Sequence, residues 1–199
     1  MMLAELSDIP TWDLPIDWFR GHLRLGTGFA DDAFQDSVLE SCLRGALAAI
    51  EARTGKALYQ RGFRWTLTAW RSAQVQALPL APVTAITGIK TVTRGGDEQV
   101  VDLSAVRLIE DSQRPRLHAT GASLPAIPTG GNVEVSFVAG YSPDWAGMPN
   151  DLSQAVMLLA GHYYEVRHEQ PMNDGNMPFG VATLIDRYRT VRILGGASA

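Results

Sequence analysis

Few residues in this chain are placed to do chemistry. The densest group is His162-Tyr163-Tyr164-Glu165-Val166-Arg167-His168-Glu169. Glu165 and His168 stand three apart, so on a helix they share a face, and Glu-x-x-His is the spacing that di-metal carboxylate bundles use. Such bundles need the motif twice plus two further glutamates, and one copy is present here. The zinc motif His-Glu-x-x-His is absent, and the inverted form His-x-x-Glu-His fails because Val166 stands where its second histidine belongs. A polar helix face near a helix C-terminus, where His and Arg meet the dipole favourably, explains the same residues without a metal. Gly26-Thr27-Gly28 opens like a dinucleotide loop, but Asp31 holds the third glycine position and no strand precedes it. Cys42 falls within an apolar helical stripe and reads as a small core residue, not a nucleophile. Neither a Walker loop nor a Gly-x-Ser-x-Gly elbow occurs. No catalytic residue, metal site or cofactor is expected.

Features suited to contact with partners are stronger. Five tryptophans occur in 199 residues, and Trp12, Trp18, Trp70 and Trp145 sit in polar or turn surroundings. Tryptophan is enriched at interface hot spots, particularly beside arginine, although each ring can equally pack under a loop of its own chain. Near the C-terminus Arg187, Arg189 and Arg192 interleave with Tyr188, Val191, Ile193 and Leu194. A frayed, solvated end would be less apolar, so this stretch reads as a docking segment.

The elements that position these residues follow from periodicity. Pro15 can open a helix carrying Ile16, Phe19 and Leu23 on one face. A longer helix is expected from Asp31 or Asp32, with Phe34, Val38, Leu39, Cys42, Leu43, Ala46, Leu47 and Ile50 as its stripe and Gly55 as its stop. From Tyr59 to Tyr141 the period becomes two. Phe63, Trp65 and Leu67 alternate with polar neighbours, a second strand runs from Ile86 to Thr93, and Arg94-Gly95-Gly96-Asp97 supplies a hairpin turn. Val133, Val135, Phe137 and Ala139 form one face of a further strand. The stretch 111–131 is rich in Pro, Gly, Ser and Thr and reads as a long loop. Helix resumes after Pro149, with Asp151 and Gln154 spaced like a capping box, and a short last helix is expected over 179–188. The expected fold is α+β: one domain, 1–199, with a helical core over 15–58 and 149–188 built from a long N-terminal helix and a C-terminal helix pair. A small antiparallel β unit over 59–148 is inserted in it, and an extended tail covers 189–199.

Composition narrows the function classes. Apolar residues make up 46% and charged residues 19%, below the roughly 25% charged share of average usage, so a packed core is expected and wholesale disorder is excluded. No apolar run approaches the roughly 20 residues that span a bilayer, and the start MMLAELSDIP lacks the basic-then-apolar order of a signal peptide. No membrane partner is expected, and the single cysteine suits a reducing compartment. Fifteen of the 17 basic residues are arginines, the cation favoured at protein contacts; GC-rich codon usage accounts for the same bias. Residues 1–40 hold eight acids and two bases, which leaves a net +2 on the rest of a chain whose total is -4. The basic stripe that holds duplex DNA through its phosphates is not visible.

Taken in order, the segments TGKAL, LPLAPV, FVAGY, MPNDLSQAV, HYYEVR and PFGVATLIDRYR resemble the head–tail connector (adaptor) proteins of long-tailed bacteriophages and phage-like gene transfer agents. The likeness extends over roughly residues 31–192 and leaves the acidic, tryptophan-bearing N-terminus outside it. It implies a structural particle protein without catalytic activity, assembled in the bacterial cytoplasm and located at the head–tail junction. The implied ring, usually of twelve copies, lies under the portal protein, extends the DNA channel, lets double-stranded DNA pass without sequence recognition, and presents a platform to the next connector or tail component. The resemblance also implies that the segment 187–194 contacts the portal. Two other functions fit parts of the sequence: a DNA-binding accessory protein, and a metal-dependent hydrolase using Glu165 and His168.

Overall fold

The computed structural model describes residues 1–25, 32–167 and 177–189. Gly26, Thr27, Gly28, Asp31, His168, Val191, Arg192, Ile193 and Leu194 therefore lie outside the described residues. Four α-helices are described: α1 (Ile16–His22), α2 (Asp32–Thr54), α3 (Asn150–Val166) and α4 (Phe179–Ile185). The stripe of α2 forms because Leu39, Leu43, Ala46, Leu47 and Ile50 recur at helical spacing, and all five are buried. They meet Leu152, Ala155, Val156, Leu159 and Ala160 of α3, with Val181 and Ile185 of α4 and Phe19 of α1 closing the cluster. Gly55 ends α2 at φ +69°, a left-handed conformation that glycine adopts without a Cβ penalty.

Eight strands follow the period-two rule in two antiparallel sheets. The larger has the order β1 (Met2–Glu5), β2 (Arg61–Leu67), β8 (Asn132–Ala139), β4 (Val83–Val92), β5 (Glu98–Val100). The smaller has the order β3 (Val75–Ala77), β7 (Arg116–Ala119), β6 (Val106–Ile109). Strand β8 is central: Phe137 sits opposite Phe63 on β2 and opposite Ile86 on β4. The Phe63 and Phe137 rings stack at 5.7 Å between centroids. Alternate residues of β2 and β8 point into a second apolar core, which Leu117 of the smaller sheet also enters. Gly140, after β8, has φ +138°, and an added Cβ there would lie 2.3 Å from the Tyr59 carbonyl oxygen, so only glycine fits.

The expectation of a helical core with a long N-terminal helix and a small inserted β unit is corrected. The strands build two sheets with a core of their own, beside and comparable to the helical one. Strand β1 precedes every helix and pairs with β2, so the sheet region is not an insertion between helices. The first helix is the seven-residue α1, and the long one is second. Two further details differ. Strand β7 occupies part of the stretch read as a loop, 111–131, and Asp151 is not an N-cap: Pro149 holds that position before α3, without a side-chain cap.

Buried polar residues join the two halves. Arg61, at the start of β2, reaches Glu51 of α2 at 2.6 Å and Glu5 of β1 at 3.0 Å. Burial works against the guanidinium charge, but the hydrogen bonds to the two carboxylates outweigh it and raise its pKa. Lys56, fully buried just past α2, donates to Gln113 Oε1 at 2.8 Å, and burial lowers its pKa. The phenol of Tyr59 donates to the Asp13 carbonyl at 2.8 Å, drawing the N-terminal segment onto the seam.

Candidate functional site

The stretch read from the sequence as a C-terminal docking segment divides at the end of α4. A 3-10 turn, Asp186–Tyr188, continues α4, so Val181, Ile185 and Tyr188 fall on one face and bury against the helical core. Tyr188 meets Tyr141 edge to face at 5.8 Å. Its hydroxyl donates to Asp151 Oδ1 at 2.7 Å, in the first turn of α3. Arg187 holds the other Asp151 oxygen at 2.8 Å, and its guanidinium stands over the Tyr188 ring at 4.7 Å. Burial raises the Tyr188 phenol, and burial together with Tyr188 and Asp151 pushes that of Tyr141 up to about 12. Both rings therefore stay neutral across the physiological range.

The same turn is tied to the β half. Gln113 Nε2 donates to the Arg187 carbonyl at 3.3 Å, while its Oε1 accepts from Lys56. Asp111 fixes that loop by accepting from the backbone N–H groups of Gln113 and Arg114 at 2.7 and 2.9 Å, and these bonds hold its carboxyl below the usual range. The end of α2, the start of α3 and a loop of the smaller sheet thus converge where the chain leaves the core. Arg189 pairs with Asp186 at 3.2 Å and is exposed. Of the predicted docking residues, Tyr188 is core, Arg187 and Arg189 rim the exit, and Val191, Arg192, Ile193 and Leu194 lie outside the described residues.

The four candidate interface tryptophans separate into two pairs. Trp70 donates its indole N–H to the Pro125 carbonyl at 2.7 Å and packs on the β core, and Trp145 packs on the helical core. Trp12 and Trp18 are 84% and 73% exposed. The backbone that carries them is nevertheless well fixed along α2. Arg44 donates to the Ile9 carbonyl at 2.9 Å, Thr11 donates to Glu40 at 3.0 Å, and Arg20 pairs with Asp36. Leu14 and Phe19 bury beneath them. Phe179, at the start of α4, is a third exposed ring that sequence reasoning passed over; its place at the first turn after Pro178 was its only signal.

Glu165 is exposed on α3, and His168 lies outside the described residues. Cys42 is half-buried, and burial pushes its thiol up, away from the reactive thiolate. Among the described residues no three of His, Cys, Asp or Glu gather as metal ligands, and no helix is long and apolar enough to cross a membrane.

Two packed cores, a tied C-terminal turn and two exposed tryptophans on a hydrogen-bonded segment are what the described residues present. No family model matches the chain, and no curated protein matches it. Solved particle structures do. One chain in the neck of an empty gene transfer agent (GTA) particle, computed with C6 symmetry, is 54% identical, with a TM-score of 0.89 over 98% of this chain and 99% of that one. A chain in the virion of a native gene transfer agent particle is also 54% identical, with a TM-score of 0.86 over the same shares. A chain in the neck of a native particle computed with C12 symmetry is 50% identical, with a TM-score of 0.84, again over 98% and 99%. The chain belongs to this family, the neck proteins of gene transfer agent particles, which are structural components of phage-like particles.

Proposed function

We propose that the protein is the head–tail adaptor of such a particle: a ring, of twelve copies by the family pattern, that lies under the portal, extends the DNA channel and joins head to tail. The observation that carries this reading is the end-to-end likeness, at 54% identity, to a chain of a particle neck. Necks computed with cyclic symmetry support a ring, because cyclic assemblies repeat one subunit about an axis. The net charge of -4 supports a channel that lets DNA slide, since a basic lumen would retain it through phosphate neutralisation. In this reading the tail beyond Tyr188 meets the portal, and the opposite end of the ring receives the next connector or tail component.

The test is electron microscopy of the protein mixed with its portal. A ring of added density under the portal is expected, and a portal that stays bare overturns the adaptor reading. A chain lacking residues 190–199 tests the tail separately. Because Tyr188 remains, this truncation should keep its fold and fail to complete particles; normal particle yield would overturn the tail's role.

A further inference from the structure

Cyclic rings are closed by heterologous contacts, in which one patch of a subunit meets a different patch of its neighbour. Two unlike patches of this chain match in charge and chemistry. The first is the N-terminal face along α2. It exposes Trp12, Trp18, Asp8 and Asp17, with Asp13 half-buried beside Trp12; Asp17 pairs with Arg20 at 3.3 Å, and Asp8 and Asp13 have no cationic partner among the described residues. The hydrogen bonds of Thr11, Arg44 and Tyr59 hold this face in place, so its rings are presented at little further entropic cost.

The second patch is the outer face of the smaller sheet. In its register Arg107 lies opposite His118, and Ile109 lies opposite Arg116, so these four side chains share the side away from Leu117 and the β core. Arg107 and Arg116 are exposed and form no ion pair among the described residues. Strand β6, which carries Arg107, is an edge of its sheet and follows directly from β5 through the turn Leu103–Ala105. Strand β5 is the far edge of the larger sheet, four strand spacings, about 19 Å, from β1 at the N-terminal edge. The chain thus leads to the acidic aromatic face from one edge of the larger sheet and to the arginine face from its other edge.

We infer that the N-terminal face of one copy, with Trp12 and Trp18 at its centre, docks on the Arg107–Arg116 face of the smaller sheet in the next copy. Indole rings against desolvated guanidinium groups are a favoured hot-spot pairing, and the carboxylates fix the register. The inference rests on the ring reading above and gives a role to the acidic N-terminal segment.

Site-directed cross-linking in purified particles tests it. In a Cys42→Ser background, Asp17→Cys and Arg107→Cys are combined in one chain and treated with a short bis-maleimide. A ladder of covalent multimers is expected from the double variant, with each single variant remaining monomeric. Particles that contain the chain but give no ladder overturn the inference while leaving the ring reading intact. Particles that lack the unsubstituted chain altogether overturn the ring reading, and this inference with it. A charge exchange supplies the second arm. Arg107→Glu with Arg116→Glu should lower incorporation about tenfold through like-charge contact, and adding Asp13→Arg and Asp17→Arg should restore it. Incorporation unchanged by the first pair overturns the inference.

Discussion

The Tyr188 hydroxyl donates to Asp151 Oδ1 at 2.7 Å, while Arg187 occupies the other oxygen of the same carboxylate at 2.8 Å. These neighbouring residues depend on Asp151 to different degrees. Tyr188 is buried, so the loss of its hydroxyl leaves a carboxylate oxygen short of a partner, and Tyr188→Phe should cost about 1 kcal/mol. Tyr188→Ala also opens a cavity beside Tyr141 and should cost about 3 kcal/mol. The Arg187 side chain is 69% exposed, so Arg187→Ala should change stability by less than about 0.5 kcal/mol. Urea unfolding of the three variants checks the order.

How much of this was legible in the sequence depended on segment length and on contact range. Helix α2 and strands β2 and β8 repeat their apolar period over seven residues or more, and their buried faces are those the pattern marks. Strands β1, β3 and β7 have only three or four residues. They exist through pairing with strands distant in sequence, which no local pattern records. The site divides in the same way. Residue types flagged the tryptophans and the arginine-rich end, but Trp70 is withdrawn by a carbonyl 55 positions away and Tyr188 by a carboxylate 37 positions away.

The Arg61 cluster should respond unequally to loss of its two acids. Glu51 is largely buried with Arg61, whereas the Glu5 side chain is 49% exposed. Glu51→Ala leaves a buried guanidinium with one solvent-facing partner and should cost about 3 kcal/mol. Glu5→Ala should cost less than about 1 kcal/mol, mostly by loosening β1. Thermal unfolding separates the two, and equal losses would mean that β1 bears more of the seam than its exposure indicates.

Glu40 gives the N-terminal segment an acid-sensitive latch. The hydrogen bond from Arg44 lowers its pKa most, burial acts against this, and the bond from Thr11 adds to the lowering. Because the folded value lies below the unfolded one, the contribution to stability is complete above the usual carboxylate range and is lost as pH falls through the lowered value. Glu40→Gln should therefore be less stable than the parent by roughly 0.5 kcal/mol at neutral pH, and the difference should vanish in acid. Unfolding curves of both chains across that range measure it; a difference independent of pH would mean that the carboxylate charge plays no part.

Substitution of the tryptophans should separate folding from assembly. Trp145 fills space against the helical core and Trp70 against the β core, so alanine at either should cost about 3 kcal/mol. Trp12 and Trp18 bury little of their own surface, and alanine there should stay within about 0.5 kcal/mol of the parent. If the exposed pair serves a neighbouring copy, Trp12→Ala and Trp18→Ala should nonetheless deplete the chain from purified particles, each about tenfold, as hot-spot truncation does. Chemical unfolding paired with quantitative blotting of particles reads both effects on the same variants. Normal incorporation of both chains would remove the tryptophans from the ring contact and leave their exposure without a structural explanation.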